Sequence, residues 1–136
     1  AIGDKGRPWT AGSHLPGGDF GVERYENQVR GLIDLYPFLE RRHAERLVRH
    51  YGTKAADLLG PATDISGLGR YFGGTLYECE VRFLVQHEWA CAAEDILWRR
   101  TKQGLLLSKE QAAGLDEFVR LLTGVEEKTV AVAERA

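Results

Sequence analysis

Apolar residues recur at three- and four-residue intervals along most of this chain, the spacing of a helix that buries one face. Val22, Tyr25, Val29, Leu32 and Ile33 predict a first helix over Val22–Asp34. Pro37 suits the first turn of a second helix, where its missing N–H costs nothing, and Gly52 stops that helix after Tyr51. Its inner face is Phe38, Leu39, Leu47, Val48 and Tyr51. Thr53 is placed to cap a short third helix through Leu59, ended by Gly60-Pro61, and Asp64–Phe72 reads as a short helix or turn.

The longest apolar pattern follows. Thr75 with Glu78 three residues on has the form of a capping box, and Tyr77, Val81, Leu84, Val85, Trp89, Ala92, Ala93, Ile96 and Leu97 then share a broad face. Arg99, Arg100 and Lys102 complement the carbonyl end of such a helix, and Gly104 terminates it. This predicts one central helical stretch over Thr75–Gln103. Two other arrangements stay open. Tyr77–Gln86 also alternates apolar and polar residues as a strand does, and a break near His87–Ala92 would leave two helices. Ser108 with Gln111 is a second capping box, opening a helix with Ala112, Leu115, Phe118, Val119 and Leu122 inward and Gly124 at its end. Glu126–Ala136 either forms a terminal helix or frays. The expected fold is all-α, a compact bundle-like domain with that one long central stretch.

Residues 1–21, rich in Gly, Pro and Ser, read as an arm or linker with Trp9 and Leu15 as its large anchors, so that the helical domain is residues 22–136. At 136 residues the chain has the length of a single domain, large enough to bury roughly two-thirds of its unfolded surface. A hydrophobic share of 43% and a charged share of 28% are those of an ordinary globular protein. The net charge of −2 favours neither nucleic acid nor an anionic membrane through a global field. No apolar run reaches the eighteen or so residues of a membrane span. The absence of methionine, at position 1 included, points to a piece of a longer protein.

Candidate chemistry is sparse. Cys79 and Cys91 lie in the apolar stretch without CxxC spacing, which predicts buried reduced thiols in a reducing compartment. The glycines of Gly67-Leu-Gly69-Arg-Tyr-Phe-Gly73 superficially suggest a dinucleotide loop, but the third glycine is one place late and no apolar strand precedes them, so they read as turn glycines. His14, His43, His50 and His87 do not make a metal set, and no nucleophile stands beside a base at a recognisable spacing. No catalytic, cofactor-binding or metal-binding residue is therefore assigned. Two cationic clusters remain. Arg41, Arg42, Arg46 and Arg49 include three residues on one helical face, with Glu40 and Glu45 interleaved: a solvated face by default, or a face for anionic lipid headgroups or a partner. Asp95–Arg99 reads as an i,i+4 pair, but three cations among Arg99, Arg100, Thr101 and Lys102 exceed the acids within reach, which makes this group a candidate domain interface.

The stretch EVRFLVQHEWACAAEDILWRRTKQGLLLS resembles the C-terminal domain of bacterial aerobic, FAD-dependent glycerol-3-phosphate dehydrogenase. LPGGDF at Leu15–Phe20, LYPFL at Leu35–Leu39 and YGTKAADLLG at Tyr51–Gly60 agree in the family's order, so the resemblance runs from about Pro8 to about Thr123. The chain departs from the family's pattern at Ala92, where many relatives place threonine, which bears on where a helix break falls. The resemblance implies a cytoplasmic parent enzyme, peripheral on the inner face of the membrane. That parent oxidises sn-glycerol 3-phosphate to dihydroxyacetone phosphate through FAD and passes the electrons to quinone. It further implies that this chain is an accessory domain packing on the absent N-terminal FAD domain, binding no FAD itself and inactive alone. No nucleic acid is expected as a partner, homo-oligomerisation stays open, and the alternative is a self-contained helical module for a protein or lipid surface.

Overall fold

Helices account for nearly all regular structure in the computed structural model, which describes residues 10–124. The expectations for Trp9 and for Glu126–Ala136 lie outside the described residues. The chain divides into two compact units, Ala1–Asp57 and Leu58–Ala136.

In the first unit a 3-10 turn at Val22–Arg24 leads into α1 (Tyr25–Leu35), which packs on α2 (Arg41–Tyr51); a further 3-10 turn at Gly52–Lys54 leads into α3 (Ala55–Leu59), within which the unit ends at Asp57. Val29, Leu32, Leu47 and Val48 are buried as their spacing predicts. Tyr25 joins the two helices through its hydroxyl, which donates to the Glu45 carbonyl at 3.0 Å. Val22, expected inward, is 90% exposed because the first turn is 3-10, which rotates it off the face that α1 buries. Pro37 does not open α2. The Leu39 N–H closes a turn onto the Tyr36 carbonyl at 3.0 Å, both side chains are buried, and the helix starts only after Glu40, whose backbone is extended.

The arm is anchored, though not by Leu15, which is 80% exposed. Gly17 is buried, and its carbonyl accepts the Thr53 N–H at 3.1 Å. The Thr53 hydroxyl donates to Asp19 at 2.6 Å, so it ties down the arm instead of capping α3. That hydrogen bond is the main reason the Asp19 carboxyl sits below its usual range. The LPGGDF and YGTKAADLLG motifs are thus two sides of one contact.

The second unit overturns the long central helix. A 3-10 turn at Ile65–Leu68, capped by the Asp64 carboxylate, precedes β1 (Tyr71–Gly73), which pairs antiparallel with β2 (Leu76–Tyr77), Tyr71 facing Tyr77. Gly73 and Gly74, both at positive φ, make the connection that the sequence suggests only as a helix break. The Thr75 N–H donates to the side chain of Gln103 at 3.1 Å, and Thr75 is not a cap. α4 (Glu78–His87) starts instead with Glu78 reaching back: its carboxylate accepts the Arg70 N–H at 3.1 Å and pairs with Arg82 at 2.7 Å. Those two bonds, the Arg70 one first, hold its carboxyl below the usual range.

The chain then breaks at His87–Ala92 and resumes as a helix whose body, Asp95–Arg100, is π-wound. α5 (Lys109–Thr123) closes the unit with the Ser108–Gln111 capping box intact and packs on α4 and β1, the Phe72 and Phe118 rings 5.2 Å apart. The Arg82 guanidinium lies 5.3 Å from the Phe118 ring centre, so the same arginine that neutralises Glu78 also covers the apolar contact. Val81, Leu84, Ile96, Leu97, Leu115 and Val119 are buried. Trp89, expected on the buried face, is 85% exposed, and Cys91 is exposed rather than buried; both cysteines are free thiols.

Candidate functional site

The segment Glu88–Gln103 holds the family-like motif, and its geometry is unusual at both ends. Trp89 and Lys102 are the non-glycine residues at positive φ, 56° and 58°, among those described. Bulky side chains disfavour that region sterically, and such conformations persist only where neighbours over-determine them. At the first end the N–H groups of Glu88 and Ala90 both reach the Leu84 carbonyl at 3.1 Å. The Asp95 carboxylate then accepts the N–H of Cys91 at 3.0 Å and of Ala92 at 3.2 Å. With helical backbone from Ala93, Ala92 is the N-cap and Asp95 the third residue, so Asp95 supplies one half of a capping box whose other half alanine cannot make. The Cys91 N–H is the largest cause holding the Asp95 carboxyl below its ordinary 3.8, followed among the favourable contacts by the Ala92 N–H and the charges of Arg99 and Arg100.

At the other end the π turn widens the helix by one residue, and the buried Thr101 resolves the mismatch: its N–H and its hydroxyl both donate to the Ile96 carbonyl, at 2.9 and 2.7 Å. Thr101 is therefore an internal strut, not the surface residue expected from its neighbours. All three cations find partners, two at helical spacing and one, Glu88 for Arg100, beyond it. Arg99 pairs with Asp95 at 2.7 Å, Arg100 with Glu88 at 3.4 Å, and the Lys102 ammonium donates to the Trp98 carbonyl at 2.5 Å. The Glu88 partner arises from the chain break, which folds residue 88 back toward residue 100. Gln103, also buried, donates its N–H to the Thr101 hydroxyl oxygen and accepts the Thr75 N–H on its side-chain oxygen, which holds the β-hairpin.

The basic face of α2 divides. Arg41 is bound to Glu26 and to Glu45, the latter at 2.8 Å, which raises its already high pKa and lowers that of Glu26. Arg46 is half-buried and partnered. Arg42 and Arg49 are exposed and make no ion pair among the described residues. His43 is buried in the same helix, and His50 turns its Nδ1 onto the Arg46 carbonyl at 2.8 Å. A cleft of about 150 Å³ lies beside α1, lined by Gln28, Leu32, Leu35, Val48 and Thr53, too small for a dinucleotide.

The Gly67–Gly73 run does not fit a flavin pyrophosphate. The N–H groups of Ser66 and Gly67 already donate to the Asp64 carboxylate at 2.8 and 3.2 Å, and the glycines lead into a strand, not a helix. Among the described residues no group of three or more His, Cys, Asp or Glu is arranged to hold a metal ion, and no helix is long and apolar enough to cross a membrane.

Fold and site together define an all-α domain whose distinctive features are presented surfaces: a braced aromatic turn and a basic helix face. Residues 9–128 match the family described as the C-terminal domain of alpha-glycerophosphate oxidase, and the chain belongs to that family. It is 42% identical over 113 residues to D-erythritol 1-phosphate dehydrogenase of Brucella abortus, covering 83% of this chain and 22% of that protein. It is 42% identical over 114 residues to aerobic glycerol-3-phosphate dehydrogenase of Escherichia coli, covering 84% and 23%, and 43% identical over 115 residues to glycerol-3-phosphate dehydrogenase of Pseudomonas aeruginosa, covering 85% and 22%. The chain spans less than a quarter of the length of these relatives.

Proposed function

We propose that this chain is the C-terminal helical domain of an FAD-dependent dehydrogenase acting on a phosphorylated polyol, with sn-glycerol 3-phosphate as the first candidate and dihydroxyacetone phosphate as its product. FAD, held by the N-terminal portion, would supply the acceptor for the carbinol hydride, the hydroxyl proton going to a base there, and quinone would be the final electron acceptor. The observation that carries the reading is the family match over residues 9–128 together with relatives named as dehydrogenases of polyol monophosphates, of which the chain covers less than a quarter. The domain's part is accessory. It packs on the N-terminal FAD portion of its own protein through the Arg99–Lys102 end of the braced turn, holds no flavin, and contributes no catalytic residue. The enzyme works on the cytoplasmic side, peripheral to the inner membrane face.

A second surface accompanies this reading. The unpaired guanidinium groups of Arg42 and Arg49 support contact with anionic lipid headgroups or a protein partner.

The test combines the purified chain with the FAD-binding polypeptide encoded upstream of it. Glycerol 3-phosphate, erythritol 1-phosphate and an artificial electron acceptor are then supplied. The chain alone should be colourless and inactive, and the two together should associate and turn over one of the substrates. Turnover by the FAD-soaked chain alone, or failure of the two polypeptides to associate, defeats the proposal.

A further inference from the structure

Trp89 carries two costs that folding of its own unit leaves uncompensated: a left-handed backbone, and an indole ring 85% exposed to water. Nothing about the turn is loose. Leu84 binds it from one side, the Asp95 carboxylate from the other, and the Glu88–Arg100 pair ties it to the end of the π segment. Trp98, 46% exposed, rests on Gly104 so closely that a Cβ there would stand 2.7 Å from its ring. Leu105 and Leu106 follow, 77% and 53% exposed. Large apolar side chains are therefore held out on a rigid frame in which Arg99 and Arg100 are already paired with Asp95 and Glu88. That combination of a pre-organised aromatic anchor and a self-satisfied polar rim is the anatomy of an interface.

We propose that Trp89 and Trp98 are the anchors by which this domain docks on the N-terminal FAD portion of the same protein, a reading that rests on the proposed function. The occupant follows from length and position: the family is a C-terminal domain, and more than three-quarters of each long relative lies outside the matched region. A lipid surface is the weaker occupant, because Arg99 and Arg100 are neutralised by Asp95 and Glu88, and Lys102, held on the Trp98 carbonyl, is, among the described residues, the one cation of the group left without an acid to meet anionic headgroups.

The experiment compares hydrogen exchange of peptides from this chain alone with the same peptides in the full-length protein. Amides across Glu88–Leu106 should exchange at least about ten-fold more slowly in the full-length protein. The double variant Trp89→Gly, Trp98→Ala should abolish that difference while the chain alone keeps its circular dichroism, since glycine accepts a φ of 56° without steric cost. Leu121→Ala, at an exposed position of α5, should change nothing. Protection elsewhere in the chain but not at Glu88–Leu106 overturns the inference and leaves the proposed function standing. No protection anywhere overturns both. Protection of Glu88–Leu106 in the isolated chain by anionic phosphatidylglycerol vesicles assigns the surface to the membrane instead.

Discussion

Gly17 and Gly52 meet backbone to backbone. A Cβ on Gly52 would stand 1.8 Å from the Gly17 carbonyl oxygen, and one on Gly17 would stand 2.1 Å from the carbonyl oxygen of Tyr51, next to Gly52. Both residues are also at positive φ, 79° and 56°, so space and conformation exclude a side chain together. Backbone atoms cannot swing aside as a flexible side chain can. Gly52→Ala and Gly17→Ala should therefore each destabilise the chain by about 2–4 kcal/mol. Gly60 separates the two causes: its φ is +59° but nothing lies within 4 Å of a Cβ there. Gly60→Ala should cost only the conformational part, about 1–2 kcal/mol. Urea unfolding of the three variants checks this, and equal losses would mean that the close approach contributes nothing.

Ala92 occupies an N-cap with only half of its box in place. Ala92→Thr offers a second acceptor to the Asp95 N–H, which already donates to the Ala92 carbonyl at 3.1 Å, while the Asp95 carboxylate takes the Ala92 N–H. A gain of about 0.5 kcal/mol is expected, the low end of an ordinary cap. A loss would show that Ala92 lacks the extended backbone an N-cap requires.

Asp95 links the braced turn to pH. Its carboxyl is held below 3.8 first by the Cys91 N–H, so the folded protein binds that proton less readily than the unfolded chain does. A depressed carboxylate contributes stability in full above its unfolded pKa, and the contribution fades as pH falls below 3.8 toward the folded value. Asp95→Asn should destabilise the chain by about 1–2 kcal/mol at neutral pH. Its stability should also decline less steeply than wild type between neutrality and acid. Parallel pH profiles for the two proteins would remove Asp95 from this role.

The unpaired arginines of α2 make the opposite kind of statement. Arg42→Glu and Arg49→Glu change no ion pair in the described residues, so thermal midpoints should hold within about 2 °C. Arg41→Glu, which removes the contacts to Glu26 and Glu45, should lower the midpoint more than either. If Arg42 and Arg49 serve a lipid surface, their double reversal should also abolish sedimentation with anionic vesicles. A collapse of the midpoint on reversing Arg42 or Arg49 would make them structural.

The sequence by itself determined the all-α class, the body of α2 and its stop at Gly52, and α5 with its Ser108–Gln111 box and its stop at Gly124. Each of those depends on residues three or four apart, and such neighbours meet in any helix. It also carried the family, through motifs kept in order. Tertiary structure decided the rest wherever a residue's partner is distant. Thr75 and Glu78 have the spacing of a capping box, yet Gln103 takes the first through its N–H and Arg70 the second, so a hairpin forms where a helix start is written. Thr53 looks like a cap and is taken by Asp19, 34 residues away. Trp89 falls on the apolar face of a continuous helix, and the break at His87–Ala92 turns it out into solvent. A local pattern ranks the partners within one turn, and only the folded chain brings in the distant ones that bind more favourably.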